Sequence, residues 1–595
     1  MAVTVVLVVS SSGFNTAQQL GRHLSCEVHG TFGACDLVVP DLKAHLNKLF
    51  KNKTTIVFVG ALGILIRLLA SSIREKSTEG SVIVVAEDGT AVIPALGGHK
   101  GANDLSLELA DFLEIKASIT TASDLHYNVA LDAPPDQFYL ANTKDYKSFM
   151  KNLLSGEEVS LDGYLPWLKN TGIPVSHDGK LKIRSTHLNE IGNQFELIYN
   201  SESLAVGVGC ERGTSVNELI SLVQTTLENN NLAKESVAVF VSIEQKMDEI
   251  AINAIADFFN KPLRFFDSVT LEEETPRLKN PSEIVFREVG SHGVAEASAL
   301  AAVGPHGELI VEKTKSRRAT CAIAKTKTLI DPNSIGKARG ILSVVGLGPG
   351  KAEWLTPEAK RCIEDSSDLV GYTLYLDLLG SLATNKKKHT FKLGEEKQRV
   401  IAALNLASEG KKVALISSGD PGIYAMASLV FDCISQTDNL NWKRVEITVS
   451  PGISALQACA ALVGAPIGHD FCAISLSNLL TPWTLIEKRL TKACEGDFVI
   501  ALYNPTSKKR GGNFQTALGL LKRYYKPTTP VSVGKSLGRP EEEVIITSLM
   551  NLDKEAIDML SIIIIGNSQT KIIDGKIFTP RGYLQNSSES RVIDQ

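Results

Sequence analysis

The chain has 595 residues, too many for one hydrophobic core, and length alone implies about three to five domains. Hydrophobic residues make up 44% and charged residues 22%, the balance of a globular protein and not of a disordered or fibrous one. A formal net charge of -4 gives no electrostatic support for nucleic-acid binding, so any affinity for acidic ligands has to come from local clusters of Lys and Arg.

Nine cysteines stand at 26, 35, 210, 321, 362, 433, 459, 472 and 494, with no CxxC pair. This pattern implies reduced, mostly buried thiols and no metal centre built from neighbouring ligands. Residues 1–9 lack a basic region ahead of the apolar run, which reads as a strand and not as a signal peptide. The longest apolar stretch, 56–70, contains Arg67 and two glycines and is too short to span a bilayer. The expectation is a soluble, cytoplasmic protein without membrane partners.

Residues 1–125 alternate strand and helix. Apolar runs at 3–9, 55–59 and 82–86 are followed by helical patterns at 14–23, 61–69 and 105–113, which predicts a parallel sheet with helices on both faces. Two glycine-rich turns are expected where ligands bind, Gly60-Ala61-Leu62-Gly63 and Gly97-Gly98-His99-Lys100-Gly101. In the second, His99 and Lys100 offer an imidazole and an ammonium at a strand end, and Asn103 or Asp104 is expected to cap the next helix. An ordinary tight turn with solvated side chains fits the same residues.

Between 129 and 200, Pro134-Pro135, polar runs and Pro166-Trp167 break the periodicity and suggest a smaller inserted domain without chemistry. A second α/β segment runs from 201 to 325. A strand at 204–208 leads into Gly209-Cys210-Glu211-Arg212-Gly213-Thr214, with Thr214 as the expected cap and Cys210 as a plain buried thiol. Small residues at 294–303 imply a closely packed helix whose N-terminus suits an anion.

The polar, turn-rich segment 326–340 marks a major boundary. A new strand, 341–345, then enters Gly346-Leu347-Gly348-Pro349-Gly350, and Thr356-Pro357-Glu358 is expected to cap the helix that follows. Lys351 stands where a dinucleotide fingerprint needs glycine, so a dehydrogenase reading fits poorly. Further strand ends carry Ser417-Ser418-Gly419-Asp420-Pro421-Gly422-Ile423-Tyr424-Ala425, then Ser450-Pro451-Gly452-Ile453-Ser454, Tyr503-Asn504, Gly534 and Gly566. Such ends are expected to line one long cleft, because open α/β folds bind ligands at the carboxyl edge of the sheet. Asp420 is placed to accept from a ribose or to cap the next helix.

Those loops carry a resemblance. Residues 341–585 resemble the tetrapyrrole (class III) S-adenosylmethionine methyltransferases. Gly468-His469-Asp470-Phe471, Ser475-Leu476-Ser477-Asn478, Tyr503-Asn504-Pro505 and Gly538-Arg539-Pro540 are similar to precorrin-3B C(17)-methyltransferases in particular, with Asn478 where the pattern leads one to expect aspartate. Residues 1–325 resemble the cobalt-precorrin-5A hydrolases through Gly60 to Arg67, Gly97 to Asn103, Gly207 to Gly213 and Val294 to Leu300, with Glu211 where a basic residue is expected.

The resemblance implies an α/β fold of several domains: hydrolase-like α/β domains at 1–128 and 201–325 with an insert at 129–200, a linker at 326–340, and methylase lobes at 341–460 and 461–595. It further implies that S-adenosylmethionine is the cofactor, with no metal. Ser418 and 419–425 would hold its methionine end. Pro451, Gly452, Ser454, Tyr503 and Asn504 would hold adenosine, Gly534 and Gly566 would line the same cleft, and Gly348, Pro349 and Gly350 would face the macrocycle. Substrate carboxylates would meet Lys508, Lys509, Arg510, Lys535, Arg539 and Arg581. His469 and Asp470 would move a proton during ring contraction, and His99 and Lys100 would serve lactone hydrolysis. A homodimer through the methylase half is implied as well. A methylase acting at another precorrin carbon, fused to a non-catalytic corrinoid carrier, is the alternative.

Overall fold

A computed structural model describes residues 4–73, 80–119, 126–127, 129–506, 511–553, 555 and 557–583. The chain divides into two units, residues 1–243 with 250–335 and residues 244–249 with 336–595.

The first unit holds three sheets. In the first, the spatial order is Leu37–Val38, Val28–Gly30, Thr4–Val8, Thr55–Val59, Val82–Val85, Val92–Leu96. Its central strands are Val-, Ile- and Phe-rich because both faces are covered. Leu7, Ile56, Phe58 and Val84 pack on one face, and Val6, Val8, Val57 and Val85 on the other. The first five strands are parallel, but Val92–Leu96 runs antiparallel to Val82–Val85. Only residues 86–91 join that pair, and a parallel return would need a crossover of about a dozen residues or more. The all-parallel expectation is corrected here.

The second sheet, Phe138–Leu140, Glu196–Ser201, Leu181–Thr186 and Val159–Asp162, shares a core with the helix Tyr146–Leu154, in which Phe149 and Leu153 of the helix join Tyr199 of the sheet. The third has the order Leu263–Phe266, Val237–Ile243, Leu204–Cys210, Ala319–Lys325, Glu308–Lys315, with the last two strands antiparallel to their neighbours. The small-residue helix Ala295–Val303 packs directly on it: a Cβ on Gly207 would stand 1.9 Å from the Ala295 carbonyl oxygen. Thr214 does not cap the Val216–Asn229 helix. Ser215 holds that position, while the Thr214 hydroxyl donates to the Glu211 carbonyl.

The second unit has two lobes. The first is a parallel sheet in the order Lys387–Phe391, Asp368–Tyr372, Lys412–Ser417, Ile341–Gly346, Glu446–Ser450. All five carboxyl ends therefore share one edge. Thr356 caps Pro357–Asp365 as expected, its hydroxyl accepting from Ala359 N–H. The second lobe has the order Phe471–Ser475, Val499–Tyr503, Ser561–Ile565, Pro530–Lys535, Glu543–Ser548. Its first two strands are parallel, but Ser561–Ile565 runs antiparallel to Val499–Tyr503 and to Pro530–Lys535. Ends that look alike in sequence thus fall at opposite edges.

Candidate active site

Three loops meet at the carboxyl edge of the parallel sheet in the first lobe of the second unit. Gly348 and Gly419 exchange backbone hydrogen bonds, N to O 3.2 Å one way and 2.8 Å the other, and both have left-handed φ, +73° and +67°. Close approach explains the glycines: a Cβ on Gly452 would lie 2.1 Å from the Gly419 oxygen, and one on Gly346 2.6 Å from it. The Asp420 carboxylate closes the junction, accepting Gly422 N–H at 2.8 Å and Gly452 N–H at 3.2 Å. Asp420 therefore braces two loops and does not cap the following helix, which starts at Met426. Pro421 packs beside Gly346, and Pro451 accepts from the Thr356 hydroxyl.

The second lobe reaches this junction through aromatic and amide side chains. The Tyr424 hydroxyl donates to the Ala473 carbonyl at 2.8 Å, and its ring lies 5.3 Å from that of Tyr503. The Tyr503 oxygen accepts Leu456 N–H, so it sits at the start of the Ala455–Val463 helix, which Ser454 and Gln457 close with a reciprocal capping box. Asn504, at φ +51°, donates to the Ser475 hydroxyl at 3.0 Å. Burial pushes both tyrosine phenols above their ordinary range, so each stays protonated and able to donate. Gly350 abuts the other lobe, since its Cβ would fall 2.6 Å from the Gly538 oxygen and 3.0 Å from Arg539 Cγ. Ser418, Ile423 and Ala425 complete the loop, with Ile423 and Tyr424 exposed.

Other expected residues lie elsewhere. Gly566 follows Ser561–Ile565, and Ile565 pairs with Ile500, so Gly566 sits at the amino end of Val499–Tyr503, away from Tyr503. Its N–H donates to the Pro530 carbonyl. His469 and Asp470 precede Phe471–Ser475, whose Phe471 pairs with Val499, and so occupy that same far edge, about 15 Å of strand from the cleft. There they line a shallow polar dent with Asn567, Gln569 and Arg581. Gly534 is at the cleft end, but it faces inward against Cys459 Sγ, making room for the Ala455–Val463 helix. Lys535 pairs with Asp558 at 3.6 Å. Lys508, Lys509 and Arg510 lie outside the described residues.

In the first unit the reversed strand Val92–Leu96 carries Gly97 to Gly101 to the amino edge of its sheet, opposite Gly60. Gly97 and Gly101 have φ +69° and +96°, and the Lys100 carbonyl accepts from the Ser81 hydroxyl. The His99 side chain lies outside the described residues. The helix Ala102–Phe112 starts from Gly101, with no side-chain cap from Asn103 or Asp104. The carboxyl edge carries a group not picked out from the sequence: Glu87 accepts from the hydroxyls of Ser10 at 2.6 Å and Ser12 at 2.5 Å. These bonds hold the exposed carboxyl below its ordinary range. The signal available was the Ser10-Ser11-Ser12-Gly13 run directly after an apolar strand. At the other turn, Arg318 pairs with Glu211 at 2.9 Å and also donates to the carbonyls of Arg212 and Gly213, so the acidic departure there is neutralised. Three of the nine cysteines, Cys321, Cys459 and Cys494, are buried; Cys210 and the other five are half-buried, which corrects the expectation for Cys210.

Comparison with known proteins bears on these loops. Residues 342–553 match the model of the Tetrapyrrole (Corrin/Porphyrin) Methylases. A probable cobalt-factor III C(17)-methyltransferase of Salmonella typhimurium is 46% identical over 243 residues, 41% of this chain and 99% of that protein. The chain belongs to the tetrapyrrole methylases. Ahead of this methylase segment, residues 44–124 match the Cobalamin synthesis G N-terminal model and residues 204–324 the Cobalamin synthesis G C-terminus model. A Precorrin-3B C(17)-methyltransferase of Sinorhizobium sp is 42% identical over 249 residues, covering 97% of that protein. A cobalt-factor III methyltransferase of Priestia megaterium is 44% identical over 248 residues, and there this methylase covers only 45% of the relative's length. Among the described residues no helix is long and apolar enough to cross a membrane.

Proposed function

We propose that the chain is a bifunctional enzyme of corrin-ring assembly. The second unit methylates carbon 17 of precorrin-3B or cobalt-precorrin-3 with ring contraction, giving precorrin-4 or cobalt-precorrin-4. The first unit opens the lactone of cobalt-precorrin-5A and releases acetaldehyde. The observation that carries the reading is the meeting of loops 346–350, 417–425 and 450–454 on Asp420, inside the segment 42–46% identical to C(17)-methyltransferases.

S-adenosylmethionine fits this lining. At Gly419 an added Cβ would meet nothing nearer than Ser454 Cα at 4.0 Å, and Ile423 and Tyr424 are exposed beside it. When bound, the cofactor supplies an electrophilic methyl group on a sulfonium. Ser418 to Ala425 would hold its methionine end, and Pro451, Gly452, Ser454, Tyr503 and Asn504 its adenosine. Gly348, Pro349 and Gly350 would face the macrocycle, and Arg539 would pair one of its carboxylates. An electron-rich pyrrole carbon needs little help to attack, so these residues act by alignment and exclusion of water. Tyr424 and Asp420 keep the walls in register while they do so.

For lactone opening, His99 and Lys100 are proposed as base and donor. H99A and E87Q, assayed by trapping acetaldehyde, decide between that turn and the Ser10–Ser12–Glu87 group. A homodimer through the second unit is proposed too, and sedimentation velocity tests it. Incubation with candidate precorrins, metal-free and cobalt-loaded, and a labelled methyl donor should place label at carbon 17 by NMR; label at carbon 11 sinks the assignment.

A further inference from the structure

Arg399 lies on the helix Glu396–Ser408 and is only 3% exposed. Its guanidinium has five N–H donors to satisfy. Nη1 meets the Met426 thioether at 3.9 Å and Nη2 the Lys392 carbonyl at 3.4 Å, both weak partners for a cation. The buried Nε makes no hydrogen bond, and among the described residues no carboxylate pairs with this side chain. The acids closest in sequence are occupied elsewhere: Glu395 accepts Lys392 N–H at 2.7 Å, and Glu396 accepts Gly394 N–H at 3.2 Å. A buried charge without a counter-ion is costly, so this position needs a compensating anion.

The surroundings point to where that anion comes from. Met426 opens the helix directly behind loop 417–425. Tyr375 follows the carboxyl end of Asp368–Tyr372; burial raises its phenol, and the charges of Arg539 and Arg399 and the nearby Ser418 side chain pull against that rise. Arg399, Arg539 and the Ser418 side chain thus all lie within electrostatic reach of the Tyr375 phenol at the carboxyl edge of this lobe.

We propose that Arg399 is the counter-ion for a ligand carboxylate entering at this end, with Tyr375 and Ser418 as hydroxyl partners. The assignment rests on the methyltransferase reading, in which a carboxylate arrives from two sources, the amino-acid end of the cofactor and the acid side chains of the macrocycle.

R399M keeps the volume and removes the charge. S-adenosylhomocysteine binding, measured by calorimetry on the full chain, tests the first source. A cofactor carboxylate predicts about 10- to 100-fold weaker binding to R399M and loss of the discrimination against the decarboxylated analogue. A macrocycle carboxylate predicts unchanged S-adenosylhomocysteine affinity and a KM for the tetrapyrrole raised by a similar factor. R399K, with charge but no planar fork, recovers part of the loss. In either case ligand-free R399M melts at or above the wild-type temperature, because a lone buried charge has gone. Wild-type affinity together with wild-type KM overturns the inference, as does a fall of several degrees in ligand-free melting temperature, the mark of an arginine held for folding alone. A wild-type chain that neither binds S-adenosylhomocysteine nor transfers methyl overturns instead the reading on which the inference stands.

Discussion

The Asp420 carboxylate accepts the backbone N–H of Gly452, a residue from a different loop, at 3.2 Å, while its other oxygen accepts Gly422 N–H at 2.8 Å. One side chain thereby fixes the spacing of two walls of the cleft. D420A is expected to weaken S-adenosylhomocysteine binding at least about tenfold, since each bond to an ionised acceptor is worth about 1.5–3 kcal/mol. Methyl transfer should collapse while acetaldehyde release continues. Calorimetry and the two product assays check this, and joint loss of both activities in a folded variant would contradict a two-enzyme chain.

Gly452 shows the same junction from the other side. A methyl group there would stand 2.1 Å from the Gly419 oxygen, which is backbone and cannot swing away. G452A should cost about 1–3 kcal/mol of stability in the second unit and lower kcat. Chemical denaturation and steady-state methylation measure the two effects.

Tyr424 holds a left-handed φ of +52°, uncommon for a bulky residue, and its hydroxyl ties loop 417–425 to Ala473. Y424F removes that tie alone and should raise the cofactor KM about 2- to 10-fold, with little change in melting temperature. An unchanged KM would mean that the tie does not position the loop.

In the first unit Glu296 is 2% exposed and accepts from Lys279 N–H, Asn280 N–H, the Asn280 amide and Lys313 N–H. Burial alone would raise its pKa, but these donors outweigh it and the carboxyl lies below its ordinary range. A depressed folded pKa means stability that is present above the unfolded value, about 4.3, and lost as pH falls through the folded one. E296Q should destabilise the unit by about 2–3 kcal/mol at pH 7 and flatten the acid limb of its stability curve below about pH 4.3. Urea denaturation across pH 3–7 tests the sign; an E296Q curve parallel to wild type would refute it.

Much of this architecture was legible in local patterns. Strands such as 204–208 and 341–345, the Thr356 cap and the close-packed helix after Gly293 all follow from short-range rules of periodicity, capping and side-chain size. The glycines at 348, 419 and 452 announced tight loops. Arg399 carried no such signal, because a basic residue on an amphipathic helix reads as solvated until its surroundings are known.

The sequence by itself determined several of the strands, the turns that follow them and the loops that carry the methylase pattern, but not the strands of the insert 129–200. Tertiary structure alone decided which edge each turn occupies. An apolar strand has the same two-residue period whichever way it runs, and its direction comes from pairing with strands far away in the chain. That is why Gly566 and the turn at Gly97 look like carboxyl-edge sites in sequence and stand at the opposite edge in the fold. Tertiary structure likewise decided that Asp420, which does not cap the next helix, clasps loop 450–454 to its own.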